Sequence, residues 1–156
     1  MIWDVTATGE IREATLDDMP TMLKWGALLF KRARWPEEMT YCPESTRVTI
    51  TAMIKDATQT VLIHPHGFIG AVLCPAFFNH RITLGKKLWW YTEPGHGDLR
   101  EALLLAIERW AYNAGADWFF ANATEALGGP IIGQIYEDLD YRLAERSYFK
   151  RLNHGH

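Results

Sequence analysis

The chain has 156 residues, 48% hydrophobic and 22% charged, the balance of one ordinary globular domain. A net charge of −3 argues against a nucleic-acid binder, and the basic residues of the last stretch, Arg142, Arg146, Lys150 and Arg151, are interrupted by Glu145. Two cysteines without CxxC spacing exclude a cysteine metal framework, and no apolar run is long enough to span a bilayer.

The N-terminal sequence MIWDVTATGEIRE has neither a basic n-region nor an apolar h-region, so no signal peptide is expected and a cytoplasmic location is. Ile11–Ala14 reads as a short strand. Thr15 then offers a hydroxyl N-cap, with Asp17 and Asp18 in the first turn of a helix carrying Leu16, Met19, Leu23, Ala27 and Phe30 at helical spacing. Trp35-Pro36 opens a polar loop that holds Tyr41 and Cys42. A second helix is expected from about Ser45 to Asp56. Gln59–His64 and Phe68–Leu73 are apolar runs of strand length around His64-Pro65-His66-Gly67, which makes them a hairpin. Pro75 and FFNHRITLG read as a longer connection, and Leu88–Thr92 as the next strand.

A long helix is expected from about Leu99 to Asn113. Its stripe is Leu99, Leu103, Ala106, Ile107 and Trp110, with Gly115 at its C-terminal end. Trp118–Ala121 reads as a strand, Gly128-Gly129-Pro130 opens a shorter helix to Leu139, and Tyr141–Lys150 is extended, in one or two strands. Hairpin strands followed by a βαβ crossover imply an α/β protein with a mixed sheet. No internal repeat or linker divides the chain, so one domain is expected over 1–156.

The segment Lys87–Ala116 carries the most chemistry. A strand stops at Pro94-Gly95-His96-Gly97 and leads directly into the long helix. Such a turn presents unpaired amides at the positive end of the helix dipole, which is an anion site and suits a phosphorylated small molecule.

Three segments, in this order, resemble the GCN5-related N-acetyltransferases, and in flavour the phage- and prophage-encoded members. They are Ile11–Asp18; Leu88–Pro94 with Glu108-Arg109-Trp110-Ala111 and Gly115-Ala116; and Tyr136-Glu137-Asp138-Leu139-Asp140-Tyr141. The likeness covers about residues 11–152. It implies the acyl-CoA N-acyltransferase fold, a mixed, mostly antiparallel sheet whose central strands splay apart. It also implies acetyl-CoA as co-substrate and acetyl transfer by direct attack of a primary amine, on a small molecule or a protein. By the same likeness Trp90, Tyr91 and Thr92 form the edge that pairs with the pantetheine arm. The amides of Gly95, His96, Gly97, Asp98 and Leu99 hold the pyrophosphate with Arg100, and Asn122 adds a polar contact. Tyr136 is the candidate proton donor to the thiolate, and a homodimer is the common assembly.

The turn departs from the family's Arg/Gln-x-x-Gly-x-Gly/Ala pattern. The leading Arg or Gln is missing, and Asp98 with Glu101 forms a capping-box-like pair. Two expectations stand side by side: Asp98 caps the helix and occupies the amides, or the shifted turn keeps them open. Non-catalytic use of the fold, as a binding or regulatory module, is the corresponding alternative function, and an aminoacyl-tRNA donor is a further one.

Glu93, at the end of the central strand, is a candidate base or amine-binding group, and equally a solvated turn residue. His96 is a further candidate base, and by default an exposed residue of a glycine turn. His64 and His66 alone make no metal site. By the same likeness the loop that holds Trp35, Tyr41 and Cys42 lines an acceptor pocket; Glu37, Glu38 and Glu44 would favour a basic acceptor if they faced inward, and otherwise form a solvated acidic loop. Trp89 and Trp90 should place one ring on each face of the sheet.

Overall fold

The computed structural model describes residues 2–4, 10–36 and 38–152. Strands β1 (Ile2–Asp4) and β2 (Ile11–Glu13) are followed by a 3-10 turn, Leu16–Asp18, and by helices α1 (Met19–Ala33) and α2 (Pro43–Lys55). Then come β3 (Gln59–His64), β4 (Gly67–Ala76), β5 (Asn79–Thr92), α3 (Gly97–Asn113) and β6 (Trp118–Phe120). A second 3-10 turn, Glu125–Leu127, leads to α4 (Gly129–Asp138). The sheet order is β1-β2-β3-β4-β5-β6. All pairs are antiparallel except β5 with β6, which α3 connects as a crossover.

Both faces of the sheet are covered, which is why β3 and β4 read as continuous apolar runs. On one face Met19, Met22 and Trp25 of α1 and Ile50 and Met53 of α2 pack on Val61, Ile63, Phe68 and Tyr91. On the other, Leu103, Ile107 and Trp110 of α3 and Tyr136 of α4 pack on Leu62, Ile69 and Ala71. Trp89 belongs to the first layer and Trp90 to the second, as strand alternation predicts.

Local chemistry sets the element ends. The Thr15 amide donates to Asp18 Oδ2 at 2.8 Å, and Asp18 is held by Arg12 through two 2.8 Å bonds. The α-helix itself begins one turn later than expected, at Met19. Cys42, expected near the acceptor pocket, instead caps α2: its Sγ accepts the Ser45 amide at 3.5 Å. At the end of α3, Gly115 takes φ +96° and the Ala116 amide returns to the Ala111 carbonyl, closing the helix.

Two further expectations fail. The segment after Pro75 is not a connection: β4 runs on to Ala76, turns at Phe77-Phe78, and β5 starts at Asn79. Pro75 is tolerated because β3 has already ended, at Gln59 opposite Val72, so no ladder partner is lost on that side. The segment after α4 forms no strand among the described residues. It crosses to the α1–α2 loop, where Phe149 meets Trp35 edge-on at 5.6 Å and Arg151 pairs with Glu38 at 3.0 Å.

The pairing of β4 with β5 is irregular at one point. Ile69 pairs with Trp90 but Ala71 with Lys87, so Gly70 stands opposite both Leu88 and Trp89. This β-bulge shifts the alternation of β5 by one. Lys87 and Trp90, three residues apart, therefore share a face, and the Lys87 Nζ lies 5.3 Å from the Trp90 ring centroid.

Candidate functional site

β5 and β6 pair at only three positions, Leu84↔Trp118, Gly85↔Phe119 and Lys86↔Phe120. From Lys87 to Thr92 the β5 edge facing β6 has no strand partner, while its other edge stays bonded to β4. The two strands fork, and a cleft of about 920 Å3 opens between them. Its walls are Lys87–Thr92, the end of α1, and Asn122–Thr124 with Ala126, Leu127 and Ile132 beyond β6. Trp90, Tyr91, Thr92, Arg100 and Asn122, all expected site residues, are brought together here.

The lining is electrostatically one-sided. Lys31, Arg32, Arg34, Lys87 and Arg100 line the cleft, and among the described residues no Asp or Glu does. Arg32 is fixed at the open end: its guanidinium lies 4.9 Å from the Tyr91 ring and donates to the Thr92 carbonyl at 3.4 Å. The indole Nε1 atoms of Trp89 and Trp90 are buried without a hydrogen-bond partner among the described residues, and both rings line the cleft.

The turn after β5 is open in part. α3 starts at Gly97 with His96 as its N-cap, which makes no side-chain cap hydrogen bond, so Asp98 sits inside the first turn. The expected Asp98–Glu101 capping box is absent because the helix begins two residues earlier than that pattern requires. The His96 amide donates to Glu93 O and the Leu99 amide to His96 O, which removes these two from the expected set. The amides of Gly95, Gly97 and Asp98 make no backbone bond among the described residues. Gly95 has φ +86°, and a Cβ built at Gly95 or Gly97 would meet nothing within 4 Å. Leu99 contributes packing instead, with its side chain 2% exposed in the core.

Tyr136 lies on the α3–α4 side. Its ring stacks on Trp90 with centroids 6.0 Å apart, and its hydroxyl donates to the Asn122 carbonyl at 2.7 Å. Burial pushes its pKa well above the ordinary phenol value. Asp140, which replaces the glycine of the resembling segment, takes φ +68°, a left-handed conformation that Asp tolerates better than most residues.

Glu93 is not part of the cleft lining. Its Oε1 pairs with His66 Nδ1 at 2.9 Å, and the His66 ring stacks on His96 at 3.8 Å. Of the acidic loop, Glu38 is taken by Arg151, and Cys42 Sγ donates to Glu44 Oε2 at 3.5 Å. Glu37 lies outside the described residues. Trp35 and Tyr41 do line the cleft. Among the described residues no group of three His, Cys, Asp or Glu could hold a metal, and no helix is long and apolar enough to cross a membrane.

Lys87 was not singled out by the sequence, although a lysine wedged before Leu-Trp-Trp in a strand is a signal of sorts. Only 9% exposed, it lines the cleft, and burial lowers its pKa to about 8. Arg32 gave no signal, because nothing local in α1 marks it.

No protein-family model matches the chain, and no curated protein matches its sequence. Solved structures do match. A possible acetyltransferase from Clostridium difficile 630 superposes with TM-score 0.71 at 15% identity, over 93% of this chain and 98% of that one. A ribosomal-protein-alanine N-acetyltransferase from Brucella melitensis biovar Abortus 2308 gives 0.66 at 17%, over 91% and 99%. AAC(6')-Iy, in complex with the bisubstrate analogue CoA-S-monomethyl-acetylneamine, gives 0.64 at 14%, over 92% and 97%. These likenesses establish the acyl-CoA N-acyltransferase fold for this chain.

Proposed function

We propose that the protein is an N-acetyltransferase that takes its acetyl group from acetyl-CoA and passes it to a primary amine on a small molecule or protein. One observation carries this reading. The fork between β5 and β6 opens a cleft lined by five cations and, among the described residues, no carboxylate, on a fold whose solved examples include a CoA-derived ligand complex. The cations that line the cleft suit a phosphorylated arm.

When bound, acetyl-CoA supplies an activated acyl group on a thiol leaving group. The unpaired edge of β5 at Trp90, Tyr91 and Thr92 binds the arm by strand-like hydrogen bonds. The Gly95, Gly97 and Asp98 amides, the positive end of α3 and the Arg100 guanidinium bind the diphosphate. Backbone N–H groups of the same edge polarise the carbonyl. Asn122 holds the far wall. Tyr136 is the proposed proton donor, its hydroxyl leaving the Asn122 carbonyl to deliver the proton. Glu93, backed by His66, is the proposed base and acts through water, since it stands outside the cleft lining.

Calorimetric or thermal-shift titration with CoA and acetyl-CoA tests this. A ligand at one hundred times its Kd stabilises by about 2.7 kcal/mol through mass action. Absence of any shift at millimolar CoA overturns the transferase reading and leaves a non-catalytic module.

A further inference from the structure

We propose that Lys87 is the positive charge against which the CoA thiolate forms as the acyl group leaves. The assignment rests on the acyl-CoA reading and adds a catalytic residue to it.

Lys87 stands at the right place. Lys86 is the last β5 residue with a β6 partner, so Lys87 is the first residue of the open edge, at the apex of the fork. From Thr92, beside the anion-binding turn, to Lys87 is five residues of strand, about 16 Å at roughly 3.3 Å per residue. That is comparable with the extended pantetheine arm. An arm anchored by its phosphates at the turn and threaded along the edge brings its sulfur to the apex.

The Lys87 charge is also uncompensated. The residue is buried, its Nζ faces the Trp90 ring, and among the described residues it forms no ion pair. An ammonium held out of water with only an aromatic face for company is costly. An anion arriving at the apex removes that cost. The bulge opposite Gly70 is what turns Lys87 to the Trp90 side, where Tyr136 also stacks.

The neighbouring groups do not supply this charge. On the same side of the sheet, burial holds the Tyr136 and Tyr141 hydroxyls neutral and raises the Glu108 carboxyl. The Tyr136 proton is engaged on the Asn122 carbonyl. Lys31, Arg32, Arg34 and Arg100 line the cleft as well, but Arg32 is tied to the Thr92 end and Arg100 belongs to α3, beside the turn.

Atoms and charges balance in the transfer. The amine nitrogen bonds to the carbonyl carbon, the C–S bond breaks, and its electron pair stays on sulfur opposite the Lys87 ammonium. The surplus proton of the amine leaves through water towards Glu93, and the thiolate takes a proton from Tyr136, which regains one from water, before CoA is released.

The test needs no acceptor. The thiolate absorbance of CoA bound to saturating protein is titrated from about pH 6 to about pH 9.5, with the desulfo-CoA complex as blank, for wild type, Lys87→Met and Lys87→Arg. The expected result is a bound-thiol ionisation constant raised about tenfold over free CoA in wild type. Lys87→Arg should retain the increase and Lys87→Met should abolish it. No increase in wild type, or an equal increase in Lys87→Met, overturns the assignment while leaving CoA binding intact. Failure of CoA to bind wild type overturns the donor reading itself, and this assignment with it.

Discussion

The Tyr136 hydroxyl donates to the Asn122 carbonyl at 2.7 Å, and so ties α4 to the segment that walls the cleft beyond β6. Tyr136→Phe removes that donor and leaves a part-buried carbonyl unpaired. A stability loss of about 1–2 kcal/mol is expected in denaturant titrations. If Tyr136 also protonates the thiolate, turnover should fall at least tenfold with CoA affinity nearly unchanged. Unaltered turnover would reduce Tyr136 to a structural tie.

Lys87 makes stability depend on pH in an uncommon direction. Its folded pKa of about 8 lies below the ordinary 10.5, so the unfolded chain holds the proton more tightly. The deficit is fully present below about pH 8 and is relieved as pH rises towards 10.5, by about 3 kcal/mol in all. Lys87→Met, which keeps the stem and discards the charge, should therefore raise the melting temperature at neutral pH and lose that advantage near pH 10. A neutral-pH loss of stability would show that the ammonium has a partner that offsets its burial.

Gly70 leaves room for an indole. A Cβ at this position would stand 2.9 Å from Trp89 Nε1, 3.0 Å from its Cε2 and 3.3 Å from Met53 Cε. Gly70→Ala should cost about 1–3 kcal/mol, because the ring is rigid and packed. Since Trp89 lines the cleft, CoA affinity should fall as well. A fully stable variant with a red-shifted Trp emission would mean that Trp89 swings into solvent instead.

Asp98 stands among the open amides without folding over them. Asp98→Asn removes a negative charge beside the proposed diphosphate and should tighten CoA severalfold, most clearly at low salt. It also removes an acid from the first turn of α3, for which a loss of up to about 1 kcal/mol is expected. Weaker CoA binding in this variant would mean that Asp98 serves the ligand rather than opposing it.

The order of elements was legible because each rests on local chemistry: the hairpin around Pro65, the stripe of α3, the glycines after Pro94. So was the assignment of Trp89 and Trp90 to opposite layers. The start of α3 lies two residues ahead of the one that the Asp98-x-x-Glu101 pattern marks, because the turn after Pro94 enters the helix through His96 and Gly97 with no side-chain cap. The β5 strand was cut short because Pro75 and the Phe77-Phe78 turn look like loop, and only the early end of β3 explains why Pro75 is harmless there. The bulge carries no sequence mark, since Gly70 reads as one more small residue in an apolar run. Lys87 and Arg32 went unnoticed for that reason and because their roles depend on neighbours distant in sequence.

A protein that is net negative, yet gathers five cations around one opening, presents two electrical characters to its surroundings. Polyanions are drawn to the mouth before any contact forms, and polycationic amines are turned away from it. Capture should therefore slow with rising ionic strength while escape stays nearly constant. The choice among acceptors begins in solution, ahead of the fit inside.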